Sequence, residues 1–203
     1  MLFDAHTHLM NADKPYPKIV CATQKSEWME LLAIRNPGVI KSFGLHPWYS
    51  SEMESLHELE EIIADQSCLV GEIGLDYANP SASQKEAFIT QLKMAQKHQR
   101  IVVIHCVKAW DDMCKILKSY NTLSFIFHRF NGSSDIIKQL PECSYFSLQG
   151  KNSRKYLDFL PSDRVLLESD DEDMDIGLAY SAANLNEKLI YNNAKRLLGG
   201  MLP

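Results

Sequence analysis

The sequence predicts an α/β fold: a compact (β/α)8 TIM barrel forming a single domain over residues 1–203. Three observations predict it. Short apolar, β-rich runs alternate with longer amphipathic stretches along the whole chain. Eight such runs can be counted, the number that closes a barrel of parallel strands. Some are apolar without interruption, as in Ile101-Val102-Val103-Ile104, the pattern of strands covered on both faces. A doubly wound open sheet is the structural alternative.

The strand-like runs are 2–8, 19–22, 40–45, 68–75, 101–105, 123–128, 143–148 and 165–168. Between them, 51–65 places Met53, Leu56, Leu59 and Ile62 or Ile63 at helical spacing. The stretch 83–98 does the same with Ala87, Phe88, Leu92 and Ala95. Ser81 or Ser83 is expected to cap it, with Glu86 three residues after Ser83 as in a capping box. Further helices are expected over 110–120 and 184–198, and shorter ones over 133–140 and 153–159, with Pro141 and Pro161 placed to stop the last two. The chain is short for this barrel, so its loops must be short.

Composition narrows the function. Hydrophobic residues make up 45% and charged residues 23%, an ordinary globular balance. The formal net charge of −5 counts against salt-driven duplex binding by a basic surface. It leaves a nuclease open, because bound cations can supply positive charge locally. The N-terminus lacks a basic patch followed by an apolar run, so no signal peptide is expected. No segment approaches the roughly 18 apolar residues of a membrane span. Five scattered cysteines without a C-x-x-C pair suggest reduced thiols and a cytoplasmic protein. No phosphate-binding or dinucleotide-binding glycine motif occurs, nor a G-x-S-x-G elbow, which argues against nucleotide-cofactor and serine-hydrolase chemistry.

The chemistry gathers at strand ends. His6 and His8 close the first run, Glu72 lies late in the fourth, His105 and His128 close the fifth and sixth, and Asp170 follows the eighth. Active sites of such barrels lie at that face, so residues far apart in sequence should converge. His6 and His8, two apart in a strand, point to one side and can share an ion. Asp4, in the same alternation, can support a ligand by hydrogen bonding. Glu72 is a carboxylate inside an apolar strand, costly unless metal-bound or paired with a lysine or arginine. Asp170 can be a ligand and the group that orients water, or the N-cap of a following helix. Glu168 faces the same side. His46, after the third run, reads as a substrate contact, and His57 and His98 as surface residues. Imidazole and carboxylate ligation without thiolate suits Mg, Mn, Zn or Fe(II). Arg129, Lys108 or Lys151 can bind phosphate, and Trp48, Tyr49 or Trp110 can stack on a base.

Taken together, Asp4-Ala5-His6-Thr7-His8, Gly44-Leu45-His46-Pro47-Trp48, Gly71-Glu72-Ile73-Gly74-Leu75-Asp76, Ile104-His105, His128-Arg129-Phe130-Asn131-Gly132 and Leu167-Glu168-Ser169-Asp170 resemble the successive motifs of TatD-type deoxyribonucleases, which are related to the amidohydrolases. Asn193-Ala194 resembles the family's last helix, so the resemblance covers essentially the whole chain. It implies a metal-dependent hydrolase with one to three divalent ions on His6, His8, Glu72, His105, His128 and Asp170. Glu72 would bridge two ions, Asp170 would orient water, and His46 would touch substrate. The implied activity is exonucleolytic cleavage of single-stranded DNA and sometimes RNA. The chain departs from the pattern after Asp170, where Asp171-Glu172-Asp173-Met174-Asp175 replaces a segment that normally carries a proline two residues on. Such a run should repel a phosphodiester backbone, which points to a smaller or differently charged substrate or to an additional cation. A solvated acidic loop is the plainer alternative. Two other readings stand beside the nuclease: hydrolysis of a small amide, lactone or phosphoester by the same site, and a catalytically weak binding scaffold. The sequence carries no sign of a membrane partner, and a monomer is as compatible with it as an oligomer.

Overall fold

The computed structural model of the chain describes residues 1–150, 153–170 and 175–202. Among these, eight parallel strands run in sequence order around a nearly closed barrel. They are β1 (Asp4–Thr7), β2 (Lys18–Ala22), β3 (Val39–Phe43), β4 (Leu69–Asp76), β5 (Val102–Val107), β6 (Phe125–Phe127), β7 (Ser144–Gln149) and β8 (Val165–Glu168). Every neighbouring pair is parallel. Closure comes just past β8, where Thr7 bridges Asp170 and Asp170 N donates to the His6 carbonyl at 2.9 Å. The barrel is therefore the architecture, and the open sheet is set aside.

The helices are α1 (Lys25–Ala33), α2 (Leu56–Asp65), α3 (Gln84–His98), α4 (Trp110–Leu117), α5 (Ser134–Ile137), α6 (Arg154–Leu157), α7 (Ile176–Ala183) and α8 (Glu187–Leu198). Each longer helix buries one stripe, as α8 does with Ile190, Asn193, Ala194 and Leu198. The strands supply the other half of the core, with Phe43, Phe125, Phe127 and Phe146 fully buried. No helix among the described residues is long and apolar enough to cross a membrane.

Several local expectations need correction. The stretch 51–65 is helical, but its first part belongs to a 3-10 segment over Pro47–Ser55 that precedes α2. Ser83 sits in helical conformation and makes no side-chain cap, so the expected capping box does not form. Instead Ser81, Ser83 and Ser50 hydroxyls bond one another. The stretch 184–198 opens on a turn, not a helix: Asn184 ends α7 in left-handed conformation, and Asn186 caps α8 by accepting from Lys188 N at 2.8 Å. Helices α1 and α7 were not anticipated. α1 buries only Trp28 and Leu31, and α7 is almost wholly apolar, so neither shows a readable amphipathic stripe.

Candidate metal centre at the mouth of the barrel

Two strands carry an irregularity that aims the site. Between Val70 and Ile73 of β4 the register advances three residues against two on β5. One residue is thus extra, and such a bulge re-aims side chains. Glu72 lies within it. The same three-against-two step occurs between Asp4 and Thr7 of β1, around His6. Glycine is required here: Gly71 and Gly74 have φ of 152° and 153°. A Cβ on Gly74 would collide with the His105 carbonyl oxygen.

Glu72 is the hub. Its Oε1 lies 2.7 Å from His105 Nδ1, 2.7 Å from His128 Nε2 and 3.5 Å from His46 Nε2. Its Oε2 lies 3.4 Å from His6 Nε2. Asp170 forms a second centre, with Oδ1 at 3.5 Å from His6 Nε2 and 3.4 Å from His8 Nε2. Among the described residues no lysine or arginine pairs with Glu72, so the buried ion-pair alternative fails in favour of a histidine cluster.

Outer contacts orient four of the five imidazoles. His8 Nδ1 lies 3.4 Å from the Cys21 carbonyl, and His6 Nδ1 lies 3.4 Å from Cys21 Sγ. His128 Nδ1 faces Glu168 Oε1 at 3.6 Å, and His105 Nε2 faces Asp76 Oδ2 at 3.4 Å. His46 Nδ1 instead accepts from Trp48 N at 3.2 Å. In the first four the other ring nitrogen then faces Glu72 or Asp170, the arrangement by which supporting groups fix metal-ligating histidines, whereas an accepting Nδ1 leaves the His46 proton on Nε2, the nitrogen that faces Glu72. Asp4 supports differently from expectation. It accepts from the backbone of His6 (3.3 Å) and of Ser169 (3.0 Å), and from the Ser169 hydroxyl (2.6 Å), so it ties β1 to the segment before Asp170, not to a ring.

The electrostatics follow from this crowding. Burial acts to raise the Glu72 carboxyl, but His128 and His6 beside it hold it well below the usual range. Burial likewise opposes protonation of His128, yet Glu72 and Glu168 push it well above its ordinary value. For Asp170, burial is outweighed by the His8 hydrogen bond and by His6 and His128, which keep it ionised. His46 goes the other way, lowered by burial.

The residues fit divalent ions. Among the described residues, three groups have donor atoms within 4.8 Å of one another: His6, His8 and Asp170; His6, Glu72 and His128; and His46, Glu72 and His105. His6 Nε2 is buried without a hydrogen-bond partner, a costly state that an ion would relieve. The donors are nitrogen and oxygen only, as hard or borderline cations prefer.

All six expected ligands converge, with His46 Nε2 at their edge, 3.5 Å from Glu72 Oε1. They line a cleft of about 590 Å³ with His46, Trp48, Tyr49 and Arg129, although His6 itself lies beneath its surface. Arg129, whose backbone N donates to Glu168 Oε1 at 2.7 Å, bonds Asp170 Oδ2 at 2.8 Å through its guanidinium. Lys108 is exposed and does not line the cleft. Trp110 is turned away, donating to Asn131 and packing on Phe127 and Phe130. Lys151 and the run Asp171 to Met174 lie outside the described residues. Asp175 caps α7. Asp76, at the end of β4, supports His105 and was given no role by sequence reasoning, although its strand-end position marked it. Lys155 and Tyr156, stacked at 4.6 Å on the cleft wall, sit in a short helix with no distinguishing signal.

The sequence model of the TatD related DNase family matches residues 3–177. An uncharacterized metal-dependent hydrolase of Bacillus subtilis is 28% identical over 84% of this chain and 80% of its own length. A Pantoea 3'-5' ssDNA/RNA exonuclease TatD is 30% identical over 72% of this chain, which spans 63% of that protein. A human 3'-5' RNA nuclease is 29% identical over 70% of this chain, which spans only 21% of that protein. In structure, the Escherichia coli TatD homolog YJJV superposes with a TM-score of 0.76 at 20% identity, covering 97% of both chains. A shared barrel, a histidine–carboxylate cluster at its mouth and a family match over most of the sequence agree: the chain belongs to the TatD related DNase family.

Proposed function

We propose that this protein is a metal-dependent phosphodiesterase that removes nucleotides from single-stranded DNA or RNA. The observation that carries the proposal is the double-sided orientation of the imidazoles, in which supporting contacts turn ring nitrogens toward Glu72 and Asp170. His6, His8 and Asp170 would hold one divalent ion. Glu72, His105 and His128 would hold a second, with Glu72 reaching both groups and the His46 Nε2 proton free to meet substrate; Mg, Mn and Zn all suit the donors. Bound there, such ions acidify water and neutralise charge on phosphoryl oxygens.

The chain's own groups do the positioning. Asp170, ionised through the neutral range, accepts a hydrogen bond from the attacking water and orients it. Arg129 holds the outer oxygen of Asp170 and leaves its other donors to the cleft, where a phosphate oxygen can bind.

The test is metal-dependent nucleotide release from end-labelled single-stranded DNA, with Glu72→Ala beside the parent. Cleavage that requires divalent ions and disappears in the variant is expected. The net charge of −5 favours one competing reading, a small amide, lactone or phosphoester as substrate. A parent that hydrolyses model esters or lactones but no oligonucleotide would select that reading. The complete ligand set argues against a binding scaffold, and failure to bind any divalent ion would revive it.

A further inference from the structure

Trp48 combines two properties that rarely coincide. Its side chain is 59% exposed and lines the cleft, yet it is fixed. Nε1 donates to Asp76 Oδ2 at 2.6 Å. Asp76 is itself buried and committed, accepting from Ala78 N (2.9 Å), Asn79 N (3.1 Å) and Asn79 Nδ2 (3.3 Å). The indole stands edge-on to His46, with centroids 4.9 Å apart, and 6.4 Å from the His105 ring. Holding a large apolar ring in one orientation against water costs side-chain entropy and hydration, and only the edge contacts with His46 and His105 offset that cost. The return is preorganisation for a flat partner. Trp110 provides the contrast, since its ring packs on Phe127 and Phe130.

We propose that Trp48 is a stacking platform for a nucleobase of the substrate, selecting single strands by ring contact without reading sequence. The inference rests on the nuclease reading. A base attached to a phosphate held at His105 lies within reach of the indole, and Asp76 links the platform to that ligand.

The experiment compares parent, Trp48→Ala and Trp48→Phe on two single-stranded oligonucleotides with divalent ions present. One is fully based, and the other carries abasic residues at both ends. On the based strand Trp48→Ala should raise KM roughly 5- to 150-fold, the range of base–aromatic stacking, with the loss confined to KM, while Trp48→Phe keeps most of the affinity. On the abasic strand parent and Trp48→Ala should coincide. Equal loss on both strands would mean a structural role through Asp76 and overturn the proposal, as would no loss on either. A second readout separates the two readings. A cleavage-resistant phosphorothioate oligonucleotide should quench the parent's tryptophan emission, and Trp48→Phe should abolish that quench. If the parent cleaves nothing but the Trp48-dependent quench persists, the nuclease reading falls and the platform stands. Absence of the quench overturns the platform.

Discussion

At the scale of single residues, Asp170 divides its labour between two oxygens. One faces His6 and His8, and the other is held by Arg129. Arg129 and Asp170 both adopt left-handed backbone, at φ 42° and 59°, a conformation that non-glycine residues hold only when their surroundings enforce it. Glu168 enforces it for Arg129 through the backbone N–H. Replacing Arg129 by Ala should lower kcat/KM on single-stranded DNA about tenfold, equivalent to roughly 1.4 kcal/mol, and should leave metal content near the parent's. A loss of bound metal instead would make Arg129 a support of the metal centre and not a substrate contact. The thiols give a second residue-scale test. Burial pushes Cys68 to about 11 and Cys106 to about 12, and Cys21 and Cys114 are raised by burial as well. Only Cys143 is exposed. A native titration with a thiol reagent near pH 8 should therefore count one reactive cysteine per chain, rising to five on denaturation. Two or more fast thiols would contradict the buried placement. The ligand candidates were legible in the sequence because each is an ionisable group at the end of an apolar run. The pairing of Arg129 with Asp170 was not, since it depends on two left-handed residues from loops 41 positions apart.

At the scale of elements, all eight strands were legible because short β-rich runs alternate with longer amphipathic stretches, and the most buried, such as β5 and β6, are apolar nearly throughout. Helices α1 and α7 were missed because a stripe of two buried residues, or an apolar surface all round, has no period to read. The bulges were invisible for a different reason: an extra residue is defined only against the neighbouring strand's register. Their consequences are testable. Gly74→Ala must drive a methyl group into the His105 carbonyl in β5 while holding a backbone that disfavours side chains. It should destabilise the protein by more than about 3 kcal/mol, seen as loss of soluble expression or a large fall in Tm. A variant of near-parent Tm would show that β4 can reroute its bulge. Asn186→Ala removes the α8 cap and should cost about 1 kcal/mol. In a chain of 203 residues that lowers Tm by about 2–4 °C.

At the scale of the whole molecule, the metal candidates come from β1, β4, β5, the ends of β6 and β8, and the turn after β3. They join segments separated by most of the sequence. In the unfolded chain these groups are dispersed, so an ion that gathers them binds the folded state almost exclusively and stabilises it by mass action. The barrel also closes through the same residues, since Asp170 N bonds the His6 carbonyl and the Thr7 hydroxyl bonds the Asp170 carbonyl at 2.9 Å. Metal occupancy and barrel closure should thus be linked energetically. A divalent ion at 100 times its dissociation constant contributes about 2.7 kcal/mol, which corresponds to a rise in Tm of roughly 5–10 °C for a domain of this size. Exhaustive chelation should lower Tm by that amount, and adding back Zn or Mn should restore it. Glu72→Ala, which removes the hub of the cluster, should abolish most of the ion-dependent shift. The measurement needs no substrate, so it tests the metal centre independently of what the enzyme cleaves. A Tm indifferent to both chelator and added ions would dissociate the cluster from metal binding and return Glu72 and its histidines to a purely structural charge network.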